Sequence, residues 1–252
     1  MAAAQTITNF FTDTGIVVPA ITTEQMREVD RLAIEETGPN LFQMMENAGR
    51  NLAELALELL ADDWRKAEVV ALAGSGGNGG GAICAARHLA NRGVNVRLCL
   101  AQPEQLGEVP AWQRRVFQAT AGQEVAAEDL PTDSVDLILD GLIGYGLRAA
   151  PRGVVAQLIQ CANTTTAPIL ALDVPSGVDS STGETPGDFI KARWTMTLAL
   201  PKTGLLPSLT GQLYLADIGI PAGTYRRMEL DFATLFDQRF RVPLITHLAC
   251  GN

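Results

Sequence analysis

"ALAGSGGNGGGAICAARHL" (residues 71–89) sets six glycines within the eight positions from Gly74 to Gly81. Glycine is costly to order and brings no side chain to pack, so a cluster this dense marks a place where something must approach the backbone closely. The run ahead of it, "EVVALAG" (68–74), reads as a buried strand stopped by a glycine. The segment behind it, "AICAARHLANRG" (82–93), reads as a helix. A strand, a glycine loop and a helix in that order place backbone N–H groups where a phosphate or ribose can come near them. A purely structural turn is the alternative use of the same glycines.

The same alternation continues outward. "VNVRLCL" (94–100), "SVDLILDG" (134–141), "APILALDVPSG" (167–177), "ARWTMTLAL" (192–200) and "GQLYLADIGIP" (211–221) read as strands. "WQRRVFQATAG" (112–122) and "GVVAQLIQCAN" (153–163) read as helices between them. Upstream, "TTEQMREVDRLAIEETGP" (22–39) has a capping box, Thr22 with Gln25, and sets Met26, Val29 and Ala33 on one face before Gly38 and Pro39 stop it. After Asn40 a second helix is expected, because Leu41, Met44, Met45, Ala48, Leu52, Leu55 and Leu59 keep a period of about 3.6 residues. Strands alternating with helices predict an α/β fold: three layers, a mostly parallel, doubly wound sheet with helices on both faces. Ligands of such sheets sit beyond the carboxyl ends of the strands.

Composition narrows the function. The chain has 252 residues, 47% hydrophobic and 19% charged, with a formal net charge of −9. That is a soluble globular composition, and the acidity argues against nucleic acid or an anionic membrane as the main partner. No apolar run approaches the roughly 20 residues of a membrane span. The first basic residue is Arg27, so a secretory or Arg-rich leader is not expected and a cytoplasmic location is. Cys84, Cys99, Cys161 and Cys250 have no metal or redox spacing and read as small buried residues of a reducing compartment. His88 and His247 are too far apart for a His-based metal site.

Two more strand ends carry unusual chemistry, "DGLIGYGLRAAPRG" (140–153) and "DVPSGVD" (173–179). Gly74, Gly76 and Gly79 satisfy G-x-G-x-x-G, but the next strand ends in "RLCLAQPEQ" (97–105) without the acid that would hold an adenosine ribose, and no P-loop Lys is present. Both absences weigh against a conventional dehydrogenase or kinase. Arg148, beside a phosphate-sized pocket, reads as a phosphate partner, with a solvated surface charge as the alternative. Asp173 either acts at the strand end or caps its turn. Asn78, Asp140 and Ser176 offer oxygens from three strand ends without a thiol or imidazole, so a metal there is expected to be a hard cation.

Five blocks in order over residues 21–220, "MMENAGRNLA" (44–53), "GSGGNGGGAICAARHL" (74–89), "LDGLIGYGLRAAPRG" (139–153), "ALDVPSGVDSSTGE" (171–184) and "LPKTGLLPSLTGQLYLADIGIP" (200–221), resemble the YjeF N-terminal domain family of NAD(P)H-hydrate epimerases. The resemblance implies a Rossmann-like fold, a homodimer, and inversion of the C6 hydroxyl of hydrated NADH or NADPH. It puts the acid/base on Asp173, and one potassium ion per subunit on Asn78, Asp140 and Ser176. It lines the nucleotide with Gly77, Asn78, Gly79, Gly80 and Gly81, with Gly144, Tyr145, Gly146, Leu147, Arg148, Ala149 and Ala150, and with Asp173. Family members usually read N-N-G-G-D-G where this chain has Gly77-Asn78-Gly79-Gly80-Gly81-Ala82, so Gly81 stands where a carboxylate beside the ligand is expected. That departure keeps a second reading open, a nucleotide-binding or protein-interaction module of the same fold without turnover.

The expected organisation is an arm (1–20), the epimerase-like domain (21–225) and a tail (226–252). The tail, "DFATLFDQRFRVPLITHLACGN" (231–252), looks similar to the connector to a kinase-like dehydratase. It implies functional pairing with an ADP- or ATP-dependent dehydratase.

Overall fold

Ten strands join one sheet among the residues described by the computed structural model, 7–130 and 134–249. Two come first, β1 (Ile7–Thr12) and β2 (Val17–Val18). Helix α1 (Thr23–Leu32) starts on the expected capping box, in which Thr22 Oγ1 accepts from the Gln25 N–H and Gln25 Oε1 accepts from the Thr22 N–H. It runs on as a π-helical turn through Thr37. Helix α2 (Leu41–Leu60) is capped in the same way by Asn40 and Gln43. The face predicted for it is buried from Met44 to Leu55 and half-buried at its ends, Leu41 and Leu59, and Leu52 and Leu55 are at most 1% exposed. Each such side chain contributes about 1.5–3 kcal/mol of transfer free energy.

Then come β3 (Glu68–Ala73), α3 (Gly77–Ala90), β4 (Asn95–Leu100), α4 (Glu108–Phe117) and β5 (Gln123–Val125). The second half contains β6 (Leu137–Gly141), α5 (Gly153–Thr164), β7 (Ile169–Leu172), β8 (Trp194–Leu198), α6 (Pro207–Thr210), β9 (Gln212–Ala216), α7 (Ala222–Arg226) and β10 (Arg241–Ala249). The sheet order is β2-β1-β10-β9-β8-β7-β6-β3-β4-β5. From β9 to β5 every pair is parallel, whereas β10, β1 and β2 add on antiparallel. Strands β6 and β7 are buried along their whole length, as continuous apolar runs between helical layers should be.

The chain builds outward from β3 to β4 and β5, then returns to place β6 on the other side of β3. The crevice between the carboxyl ends of β3 and β6 is therefore the switch point of the sheet. The backbone is tightest there. The Gly74 N–H donates to Gly141 O at 3.1 Å. A Cβ on Gly79 would collide with the Gly74 carbonyl, and one on Gly74 would collide with the Leu142 carbonyl.

Three expectations change. Helix α3 begins at Gly77 rather than Ala82, because close packing under its first turns outweighs the poor helix propensity of glycine. Within the expected arm the described residues, 7–20, join the sheet and core: β1 pairs with β10 from Ile7↔Ala249 to Thr12↔Leu244, and Phe10 and Val18 are buried in the core. The tail is likewise part of the sheet, with β10 lying between β1 and β9 and Val242 fully buried. In both cases the hydrogen-bonding partner lies at the other end of the chain or across the sheet, where local periodicity cannot reveal it. Residues 1–6, 131–133 and 250–252, and with them Cys250, lie outside the described residues. Among those described, no helix is long and apolar enough to cross a membrane.

Candidate active site

A cavity of about 540 Å³ opens at the carboxyl ends of β3, β6, β7 and β8. Another of similar volume lies along α2, walled by Asn51 and His88. The first is the one onto which the chemistry of the strand ends converges.

Asp173 follows directly on β7 and is 2% exposed. Its φ of +65° lies in the left-handed region, which costs a residue with a Cβ about 1–3 kcal/mol. Several bonds hold it there. The Asp173 N–H donates to Met196 O at 2.7 Å, and its Oδ1 accepts from the Leu198 N–H at 3.2 Å and from Thr197 Oγ1 at 3.3 Å. The fourth partner is the ammonium of Lys202, which forms an ion pair with Oδ1 and donates to Leu198 O at 2.9 Å. Lys202 has no exposed surface. A carboxylate at the cavity wall is thus matched to a cation that water does not reach.

Across the cavity, α1 contributes Asp30 and the loop after β6 contributes Tyr145, whose hydroxyl donates to Asp30 Oδ2. Burial raises the Asp30 carboxyl above its ordinary value, and the Tyr145 hydroxyl and the Lys202 charge only partly offset that. Arg27 and Arg148 lie on the same wall.

Asn78, Asp140 and Ser176 meet beneath the crevice. Asp140 has no exposed surface. Its carboxyl accepts from Ser176 Oγ at 2.6 Å, the Ser176 N–H at 2.9 Å and the Leu142 N–H at 3.2 Å. Burial pushes it up to about 6 even so. Ser176 Oγ also accepts from the Ile143 N–H at 2.7 Å. Asn78 Nδ2 donates to Leu172 O at 2.6 Å and Ile143 O at 3.2 Å. Among the described residues no cationic side chain pairs with Asp140. The cluster brings together a buried carboxyl, the Ser176 hydroxyl and the Asn78 amide, with the Ile143 and Leu172 carbonyls bonded to it and neither thiol nor imidazole among them. Such a set fits a hard cation.

The pattern of the family described as "YjeF-related protein N-terminus" matches residues 41–204, which contain the glycine loop, Asp140, Asp173 and Lys202. The chain belongs to the YjeF N-terminal family. It is 50% identical over 236 residues to an NAD(P)H-hydrate epimerase of Dehalogenimonas lykanthroporepellens, with 94% of each chain covered. It is 34% identical to an NAD(P)H-hydrate epimerase of Rhodopirellula baltica, over 84% of this chain and 89% of that one. A bifunctional NAD(P)H-hydrate repair enzyme of Escherichia coli is 35% identical over 78% of this chain, which spans only 39% of that longer protein. The crystal structure of yeast ynu0, YNL200c, superposes with a TM-score of 0.77 at 20% identity, over 90% of this chain and all of that one, and so shares the fold.

In this YjeF N-terminal domain the residues expected from the sequence divide into three groups. Gly77, Asn78, Gly79, Gly144, Tyr145, Gly146, Arg148 and Asp173 border the cavity. Asp140 and Ser176 lie below it, joined to Asn78 through Ile143. Gly80, Gly81, Leu147, Ala149 and Ala150 are not part of its wall. Gly80 faces Met45 and Pro110, and Ala150 packs against Gly187. A Cβ on Gly81 would lie 2.6 Å from Leu172 Cδ2, so the space for a longer residue is filled by a core leucine.

Lys202 and Asp30 were not anticipated from the sequence. Lys202 sits in the "LPKTG" block, but nothing local pairs it with Asp173. Asp30 did leave a trace: it follows Met26 by one helical turn and is an acid beside the face that Met26 and Val29 bury.

Proposed function

We propose that this chain is an NAD(P)H-hydrate epimerase that interconverts the R and S forms of hydrated NADH or NADPH at C6, with Asp173 as acid/base. The observation that carries this reading is the Asp173 carboxylate, held by buried Lys202 and opening on the same cavity as the glycine loop. The similarity to epimerases over nearly the full chain supports it.

Hydrated NADH carries a carbinolamine at C6. The ring nitrogen pushes out the C6 oxygen, which must be protonated to leave as water, and an iminium remains. Water then adds to the other face and loses a proton. A carboxyl group at a strand end gives and takes such protons, and its anion stabilises the transient cation. Lys202, with Thr197 and Leu198 at the end of β8, fixes that carboxylate in one orientation at the cavity wall. Gly77, Gly79 and the N-terminus of α3 offer backbone N–H groups to the substrate phosphates, with Arg148 as a charged partner.

Asn78, Asp140 and Ser176 would hold a potassium ion, which when bound supplies a fixed positive charge under the crevice. That no cationic side chain among the described residues pairs with Asp140 supports it. A homodimer, a cytoplasmic setting and a dehydratase partner belong to the same proposal. The free thiols of Cys84, Cys99 and Cys161 are compatible with that setting, and fused repair enzymes among the relatives support that partner. The alternative, a module without turnover, rests on the missing carboxylate at Gly81, a position outside the cavity wall.

Incubating purified chain with (6R)-NADHX and resolving the epimers chromatographically tests the reading. Formation of the 6S epimer, faster with potassium than with lithium, is expected. No conversion in either salt overturns it in favour of a binding module.

A further inference from the structure

Inverting C6 moves the hydroxyl from one face of the dihydropyridine ring to the other. The oxygen that leaves needs a proton on its own face, and the water that arrives must lose one on the opposite face. A single carboxyl reaches both faces only if the ring turns over inside the cavity. The cavity holds a second carboxyl, Asp30, which comes from α1 rather than from the strand ends.

Asp30 and Asp173 occupy unlike surroundings. Asp173 is ion-paired to Lys202. Asp30 has no ion pair among the described residues, and its one side-chain bond is to the neutral hydroxyl of Tyr145. The two acids are neighbours across a short gap, since Lys202 Nζ, which sits on Asp173, lies 6.0 Å from the centre of the Tyr145 ring. The charged and titratable groups around Asp30 are Tyr145 from the loop after β6, Lys202 and Asp173 from the strand ends, Arg27 from its own helix and Tyr225 from α7. Two titratable groups in unlike environments is the arrangement by which one site keeps an acid and a base at the same pH.

We propose that Asp30 is a second proton-transfer residue of the epimerase, serving the ring face opposite Asp173, with Tyr145 as the positioning residue that holds its carboxyl. This rests on the epimerase reading. In one direction Asp30 gives its proton to the C6 oxygen, the C6–O bond breaks with its electron pair leaving in water, and the nitrogen lone pair forms C=N. A second water adds to the other face, the C=N pair returns to nitrogen, and Asp173 takes the surplus proton. The substrate is inverted and one proton has moved from Asp30 to Asp173. The reverse turnover, or exchange with solvent, returns it. The raised carboxyl of Asp30 suits it to hold that proton nearer neutral pH than an ordinary Asp does.

The test measures epimerisation of purified (6R)-NADHX by the wild-type chain, Asp30→Asn, Asp30→Glu and Tyr145→Phe, with NADH affinity followed by fluorescence and folding by circular dichroism. Asp30→Asn is expected to lower kcat about 100-fold or more with NADH affinity changed less than about threefold. Asp30→Glu is expected to recover part of the rate, and Tyr145→Phe to lose less than Asp30→Asn. Wild-type kcat should fall on the alkaline side as Asp30 loses its proton, and the residual rate of Asp30→Asn should lack that limb. A folded Asp30→Asn chain that keeps a third or more of kcat overturns the proposal. So do loss of NADH binding in step with rate, and equal losses in Asp30→Asn and Tyr145→Phe. If Asp30→Asn does not fold, a wild-type alkaline limb that Asp30→Glu leaves unshifted overturns it. A wild-type chain that does not epimerise overturns the epimerase reading itself.

Discussion

Replacing Lys202 with Met removes the only cation paired with Asp173 among the described residues. Neither side chain of the pair is more than 3% exposed, so the carboxylate left behind is poorly solvated. Breaking a buried pair by deleting one member costs about 3–5 kcal/mol, whereas replacing both members by neutral groups is far cheaper. For a domain of this size a change of 1 kcal/mol moves Tm by about 2–4 °C, so Lys202→Met should melt about 6–20 °C below wild type. The loss also includes the bond to Leu198 O, which the methionine cannot make. Combining Lys202→Met with Asp173→Asn should recover most of the stability, because the amide keeps its bond from the Leu198 N–H without a charge. Urea denaturation of the wild type, both single variants and the double variant completes the cycle. A double variant as unstable as the sum of the singles would refute the claim that the pair acts as one electrostatic unit.

Asp140 makes stability depend on pH. Its folded value, about 6, lies above the ordinary carboxyl value of about 3.9, so its contribution is full below the latter and is lost as pH rises through 6. Asp140→Asn should flatten that dependence, as urea midpoints at pH 5 and pH 7.5 would show. The thermal shift produced by potassium should shrink in the wild type below about pH 6, where the proton competes for the same carboxyl. Gly81→Asp should destabilise by about 1–3 kcal/mol from overpacking alone, because its side chain meets Leu172, and Leu172→Ala in the same chain should relieve part of it. Unchanged stability in Gly81→Asp would mean that the slot is open. Removing residues 238–252 should abolish a cooperative thermal transition rather than trim a linker, because β9 and β1 both lose a hydrogen-bonded neighbour.

The parallel core was legible because its signals are local. An apolar run such as Leu137–Gly141, or the buried stripe of α2, declares itself within one window of sequence. The carboxyl-end rule then placed Asp140, Asp173 and the glycine loop in one region before any distance was known. The edge strands were not legible. "RVPLITHLA" carries a proline, and its apolar residues find partners only in β1 and β9. The short β5 has no buried residue to mark it. In the glycine loop the expectation placed Gly80 and Gly81 against the ligand, yet a glycine that admits a phosphate and one that admits a neighbouring side chain look alike in sequence. Lys202 and Asp30 were missed for a related reason: each acquires its role from a partner on another element.

The pairing of β1 with β10 also bears on how the chain is made. During synthesis β1 leaves the ribosome nearly a whole chain-length before the segment it must hydrogen-bond, while β3 to β9 can assemble in order as they emerge. Until β10 arrives, both β9 and β1 present open edges, the state in which a nascent polypeptide is most prone to pair with a neighbour. Of the strands in this sheet β10 is made last and closes it, so a product stalled before that point would carry an assembled crevice on a body with two unprotected borders.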